Sequence, residues 1–158
     1  MERDGYLDEY LRYWTVRPEV ERIWVSVYTP QKGERSREIL TPEARARLLG
    51  TLPILKRRYP ALVMPDGAIQ ALQSPPASPA ACTFARISRN YSADLTTRVQ
   101  PCFFGGEPDC SQCGCAISTG LHWLSERPLV SGLKIGHLID ASLAIGRFRD
   151  MRRPCESE

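Results

Sequence analysis

Five of the six cysteines in this chain fall between Cys82 and Cys115, in the order Cys82-x19-Cys102-x7-Cys110-x2-Cys113-x-Cys115. The last four lie in a loop rich in Gly and Pro, from Pro101 to Cys115. A loop this dense in thiols points to a metal centre or a disulfide knot, and the redox compartment decides between them. The start, Met-Glu-Arg-Asp-Gly-Tyr, is charged and has no apolar run behind it, so a secretory signal is not expected. No run of about 18 apolar residues exists, so a membrane-spanning helix is not expected either. The expected setting is cytoplasmic and reducing, where closely spaced cysteines are metal ligands more often than disulfides.

Thiolates are soft ligands, and four of them suit zinc or an iron–sulfur cluster. The spacing leaves the choice open. There is one Cys-x2-Cys pair, Cys110 and Cys113, with single cysteines at 82 and 102, and Cys115 is one thiol more than either centre needs. His122 and His137 lack metal-motif spacing and read as packed or surface residues. Asp94, Asp109 and Asp140 are isolated, with no acid–base pair, phosphate loop or nucleophile elbow among them, so no catalytic residue is assigned. A net charge of +3 with scattered Arg carries no nucleic-acid footprint.

Upstream of the cysteines the chain reads as scaffold. Tyr6, Leu7, Tyr10, Leu11 and Trp14 share a helical stripe, and their aromatics are expected to face the core. Ile23–Tyr28 is an apolar, β-rich run that suits a strand buried on both faces. Thr41-Pro42-Glu43 is a helix start, with Thr as cap and Pro in the first turn. Ala44, Leu48, Leu52, Leu55 and Tyr59 then mark a buried face that ends near Pro60, with a kink expected at Pro53. Leu62-Val-Met64 is a second strand. The expectation is an α/β chain with one βαβ unit, which is only the end of a (β/α) barrel, since a closed one needs roughly 200 residues or more.

Residues 73–81 form a Pro-rich linker. Two short strands between Phe84 and Arg98, turning around Arg89–Asp94, are expected to form a hairpin that brings Cys82 and Cys102 together. Helices are expected over Ala116–Leu124 and over roughly residues 132–150, the second carrying Leu138, Ala141, Ile145 and Phe148 on one face. Cys155 sits in a charged tail and reads as a free thiol.

Ser78-Pro-Ala-Ala-Cys82, then Ser92-Ala-Asp-Leu-Thr-Thr-Arg-Val-Gln-Pro-Cys102, then Phe104-Gly-Gly-Glu-Pro-Asp-Cys-Ser-Gln-Cys-Gly-Cys115 resemble the C-terminal region of radical SAM enzymes that carry SPASM or twitch extensions. The resemblance implies an auxiliary [4Fe–4S] cluster. Cys82 and Cys102 match the cysteines flanking the family's hairpin, and Cys110 and Cys113 match its later pair. Cys115 has no clear counterpart and stands as an alternative ligand. The family's defining Cys-x3-Cys-x2-Cys is absent, and no cysteine precedes Cys82. The chain therefore reads as the C-terminal part of such a protein, not expected to cleave S-adenosylmethionine without a complementing half.

The implied organisation is a partial barrel segment over 1–72, the linker over 73–81, a Cys-rich hairpin module over 82–127, and a C-terminal helix and tail over 128–158. The implied partner is a complementing radical SAM chain or a second copy, with no nucleic acid and no membrane. A zinc-stabilised structural or interaction module is the alternative.

Overall fold

A computed structural model describes residues 5–151, with the side chains of 149–151 left out of the description. Helix α1 spans Tyr6–Thr15 and α2 spans Pro42–Arg58. The Thr41 hydroxyl caps α2 by accepting from the Ala44 N–H at 3.2 Å. Helix α2 ends where Tyr59 turns extended ahead of Pro60, whereas Pro53 lies inside the helix without ending it. Helix α3 is Asp66–Gln73 and α4 is the single turn Thr83–Ile87. Strands β1 (Asn90–Tyr91) and β2 (Arg98–Val99) pair antiparallel. A 3₁₀ turn over Cys110–Gln112 leads to α5, Ala116–Ser125. Strands β3 (Pro128–Val130) and β4 (Leu133–Lys134) form a second antiparallel pair ahead of α6, Ile135–Met151. The chain is thus a mixed helix-and-sheet protein whose two sheets, among the described residues, have two strands each. No helix among those residues is long and apolar enough to cross a membrane.

The core lies where α1, α2 and α3 meet two extended segments. Leu11, Leu49, Leu52, Leu62, Met64 and Leu72 are its most buried residues. Each such side chain contributes about 1.5–3 kcal/mol by leaving water. The extended segments run side by side: Ile23 bridges Leu62 in parallel, the Ile23 N–H donating to Ala61 O at 2.7 Å and the Val63 N–H to Ile23 O at 3.3 Å. Helix α2 connects them. Burial along the first segment alternates, with Ile23, Val27 and Thr29 inside and Trp24, Ser26 and Tyr28 outside. The segment is therefore half-buried, in contrast to the two-sided burial its composition suggests; its other face carries aromatics that remain exposed.

Helix α1 differs from expectation in a related way. Leu11 is fully buried, while Tyr6 is 60% exposed and Tyr10 42%. Successive helical positions are turned by about 100°, so two neighbouring stripes compete for the core. The narrower leucine stripe packs inward, and the aromatics stack on one another outside it.

Residues 84–87, expected as strand, belong to a helical turn that starts at the buried Thr83, whose hydroxyl donates to Ser125 Oγ of α5 at 3.2 Å. In so short a run, packing on α5 overrides alternation. The β3–β4 hairpin was not anticipated, although Ser131-Gly132 is a turn signal and Gly132 has φ +76°. Helix α6 exposes its apolar residues, with Leu138 at 49%, Ile145 at 61% and Phe148 at 50%. Cys155 lies outside the described residues.

Candidate metal centre

Four thiols, those of Cys82, Cys102, Cys110 and Cys113, line one cavity. Its volume is about 20 Å³, and its other walls include Thr29, Pro76, Pro79, Phe104 and Pro108. The four cysteines arrive from three stretches of chain, and each is placed by identifiable contacts.

Cys82 sits at the entry to α4, its N–H bonded to Pro79 O at 3.2 Å. The Pro-rich segment before it turns back and contributes two prolines to the cavity wall. Cys102 follows β2. Its carbonyl accepts from the Gly105 N–H at 3.0 Å, closing a turn in which Gly105 and Gly106 both have positive φ, +64° and +57°. Two consecutive left-handed residues demand glycine. The Phe103 ring meets Phe84 edge-on at 5.6 Å, tying this turn to α4. Cys110 and Cys113 bracket the 3₁₀ turn. Asp109 caps it, accepting from the Ser111 N–H at 3.1 Å and from Gln112 Nε2 at 2.8 Å.

The extended segment from Ser26 to Lys32 docks the whole cysteine loop. The Lys32 N–H donates to Glu107 O, the Asp109 N–H to Pro30 O and the Val27 N–H to Gly114 O, each at 2.8 Å. The Gly114 N–H donates to Thr29 Oγ1 at 2.9 Å, and the Ala116 N–H to Ser26 Oγ at 3.2 Å. Gly114 is pressed so closely that a Cβ there would fall 2.0 Å from Val27 O.

Arg45 of α2 secures the loop from the other side. Its Nη1 donates to Gln112 O at 3.1 Å, and its Nη2 donates to Cys113 O at 2.7 Å and to Leu72 O at 3.0 Å. Burial lowers the guanidinium pKa, and the neighbouring Cys113 opposes that shift. Sequence reasoning missed Arg45, Thr29 and Ser26. Nothing local distinguishes them, because their partners lie 27 to 90 residues away. Replacing Arg45 by Met is expected to cost roughly 2–4 kcal/mol, since three carbonyls lose a charged donor; a denaturant melt checks this.

The fifth thiol has a separate place. Cys115 is buried and caps α5, its sulfur accepting from the Ser118 N–H at 3.3 Å, and it is not part of the cavity wall. A serine hydroxyl can make the same cap. Cys115→Ser is therefore expected to fold and to retain metal like the parent, as metal analysis of the purified variant would show.

Burial pushes the thiols of Cys102, Cys110 and Cys113 above their ordinary pKa. Mutual repulsion adds to the shift: Cys82 and Cys115 act on Cys102, Cys102 and Cys82 on Cys110, and Cys115 and Cys82 on Cys113. Hydrogen bonding opposes this shift, from the Phe104 backbone at Cys102 and from the Cys115 backbone and Thr29 side chain at Cys113. A thiol whose pKa is raised by folding stabilises the fold below its unfolded pKa, about 8.5, and that stability is lost as pH rises through the folded value. The metal-free chain is thus expected to keep its urea midpoint up to about pH 8.5 and to lose it progressively above. A cationic centre reverses this balance by holding the thiolates deprotonated.

Among the described residues, no group of three or more His, Cys, Asp or Glu is placed to hold a metal ion. One zinc ion would draw its four sulfurs to about 3.8 Å from one another, given Zn–S bonds of about 2.3 Å. The thiols here line one cavity. Four soft thiols are a donor set that both zinc and an iron–sulfur group accept. His122 and His137 line a different, polar cavity with Glu126 and Lys134, where the His137 Nδ1 accepts from the Lys134 N–H at 3.2 Å. Asp140 there pairs with Arg86. Asp94 braces the β1–β2 turn by accepting from the Thr96 N–H at 3.1 Å.

Comparison with known protein families, curated sequences and solved structures found no match for this chain.

Proposed function

We propose that this chain binds a [4Fe–4S] cluster through Cys82, Cys102, Cys110 and Cys113, as the auxiliary-cluster portion of a radical SAM-like protein. The observation that carries the reading is the convergence of these four thiols, separated by up to 31 positions, on one cavity. The order of the cysteines and their resemblance to the SPASM and twitch pattern support it. When bound, the cluster would supply one-electron chemistry or a Lewis-acidic iron. The chain's own residues hold it: Arg45 and the 26–32 segment fix the loop, while prolines and Phe104 limit water at the thiols.

The parallel pairing of Ile23 with Leu62 across α2 is compatible with the closing end of a partial (β/α) barrel. The chain contains no Cys-x3-Cys-x2-Cys, so it would not cleave S-adenosylmethionine by itself. A complementing chain, or failing that a second copy, would cover the exposed aromatics at Trp24 and Tyr28 and the apolar residues of α6. The setting would be the reducing cytoplasm, where thiols persist.

The test is spectroscopic. The anaerobically prepared chain is expected to show broad visible absorbance that bleaches with dithionite, and to release no deoxyadenosine from S-adenosylmethionine. A colourless chain that binds zinc would support the structural-module alternative instead. Deoxyadenosine release by the chain alone would contradict the assignment to an auxiliary portion.

A further inference from the structure

The polar cavity where α4, α5 and α6 meet has a volume of about 210 Å³, room for several waters or a small organic molecule. No cysteine lines it. Two hydroxyls on its wall are almost fully buried, Thr83 at 3% exposure and Ser125 at 5%. Thr83 Oγ1 donates to Ser125 Oγ at 3.2 Å, and Ser125 Oγ donates to His122 O at 2.7 Å. Both hydroxyl protons are thereby committed. The Thr83 oxygen keeps its lone pairs, and among the described residues no donor reaches it. Around these hydroxyls stand two carboxylates and two permanent cations: Asp140 pairs with Arg86, and Glu126 Oε2 with Lys134 Nζ at 2.5 Å. Both pairs are partly exposed, and such pairs hold weakly, so a ligand can take over one partner of each. The His137 Nδ1 accepts from the Lys134 N–H, which leaves Nε2–H as a further donor. The helix ends add a field of the same kind. Helix α5 closes at Ser125 and α6 opens at Ile135, with Ser125 and Gly136 both on the cavity wall, so a partial negative end and a partial positive end meet there.

We propose that this cavity binds a small zwitterion of the α-amino acid type. Glu126, Asp140 and the Thr83 oxygen receive the ammonium, whose N–H groups supply the donor that Thr83 lacks. Arg86, Lys134 and the His137 Nε2–H receive the carboxylate. A simple anion would meet two carboxylates in the cavity and a simple cation two basic side chains, so neither matches the balance of charge as a dipolar ligand does. Binding is by charge and hydrogen bonding alone and is independent of the iron–sulfur reading.

The experiment titrates the full chain by calorimetry with each of the twenty standard amino acids. The tightest binder is then compared with its deaminated acid and its decarboxylated amine. At least one amino acid is expected to bind, and loss of either charged group is expected to weaken binding about tenfold or more. Arg86→Gln and Glu126→Gln are each expected to weaken the amino acid by a similar factor. Absence of binding by all twenty would overturn the proposal. An acid or amine that binds as tightly as its parent amino acid would overturn the zwitterion as ligand. Parental affinity in both variants would overturn the site. If Arg86→Gln fails to fold, Lys134→Met removes the other cation and is expected to weaken binding in the same way, and an unchanged affinity there would again refute the assignment.

Discussion

Replacing Cys102 or Cys113 by alanine is expected to abolish retention of the cluster. Each removes one of four thiols on the cavity wall, and the described residues offer no equivalent donor beside them except Cys115, which is engaged in capping α5. Rescue by Cys115 would require its sulfur to leave the Ser118 N–H and the helix terminus to lose its cap, a cost of about 1 kcal/mol before any geometric strain. The two positions also differ informatively. Cys113 is buried and Cys102 half-buried, so Cys113→Ala also leaves a void beside the loop. Cys155→Ala, by contrast, is expected to leave iron content unchanged. Iron and sulfide analysis of the purified variants checks both statements, and full loss in Cys155→Ala would show the site to be drawn wrongly.

Gly114→Ala is expected to be the most damaging substitution outside the thiols. Its Cβ would sit 2.0 Å from the Val27 carbonyl oxygen and 2.6 Å from the Val27 Cβ. Neither atom belongs to a flexible side-chain end, so the extended segment and the cysteine loop must separate. That breaks the Val27–Gly114 and Gly114–Thr29 hydrogen bonds together. A loss of about 3 kcal/mol is expected from the overpacking alone, with cluster binding lost in parallel because Cys113 adjoins the displaced residue. The control is Gly146→Ala in α6, where no atom lies within 4 Å of an added Cβ and helix propensity favours alanine. Thermal melts of the two variants should move in opposite directions.

The features legible in the sequence are those encoded locally. Thr41-Pro42 and Tyr59-Pro60 delimit α2 to within a residue because capping chemistry and proline act on their immediate neighbours. The five clustered cysteines stood out by type and density, and the choice of Cys82, Cys102, Cys110 and Cys113 among them came from the resemblance rather than from spacing. What escaped is encoded at a distance. Arg45 is one of several arginines in α2, and only the folded chain brings the carbonyls of Gln112 and Cys113 to it. The cap made by Cys115 depends on where α5 begins, which the thiol density of the loop obscured. In α1, periodicity located the amphipathic stripe but could not choose between Leu11 and the adjoining aromatics, because both lie within one turn of the same face. The same limit applies to α6, whose Leu138 and Ile145 lie on one apolar row yet are 49% and 61% exposed.

Quantifying iron and acid-labile sulfide in the anaerobically reconstituted full chain tests the central claim most directly. The account predicts about four iron and about four sulfide atoms per chain, both lost in Cys113→Ala and retained in Cys115→Ser. Sulfide-free protein holding a single zinc ion would contradict it.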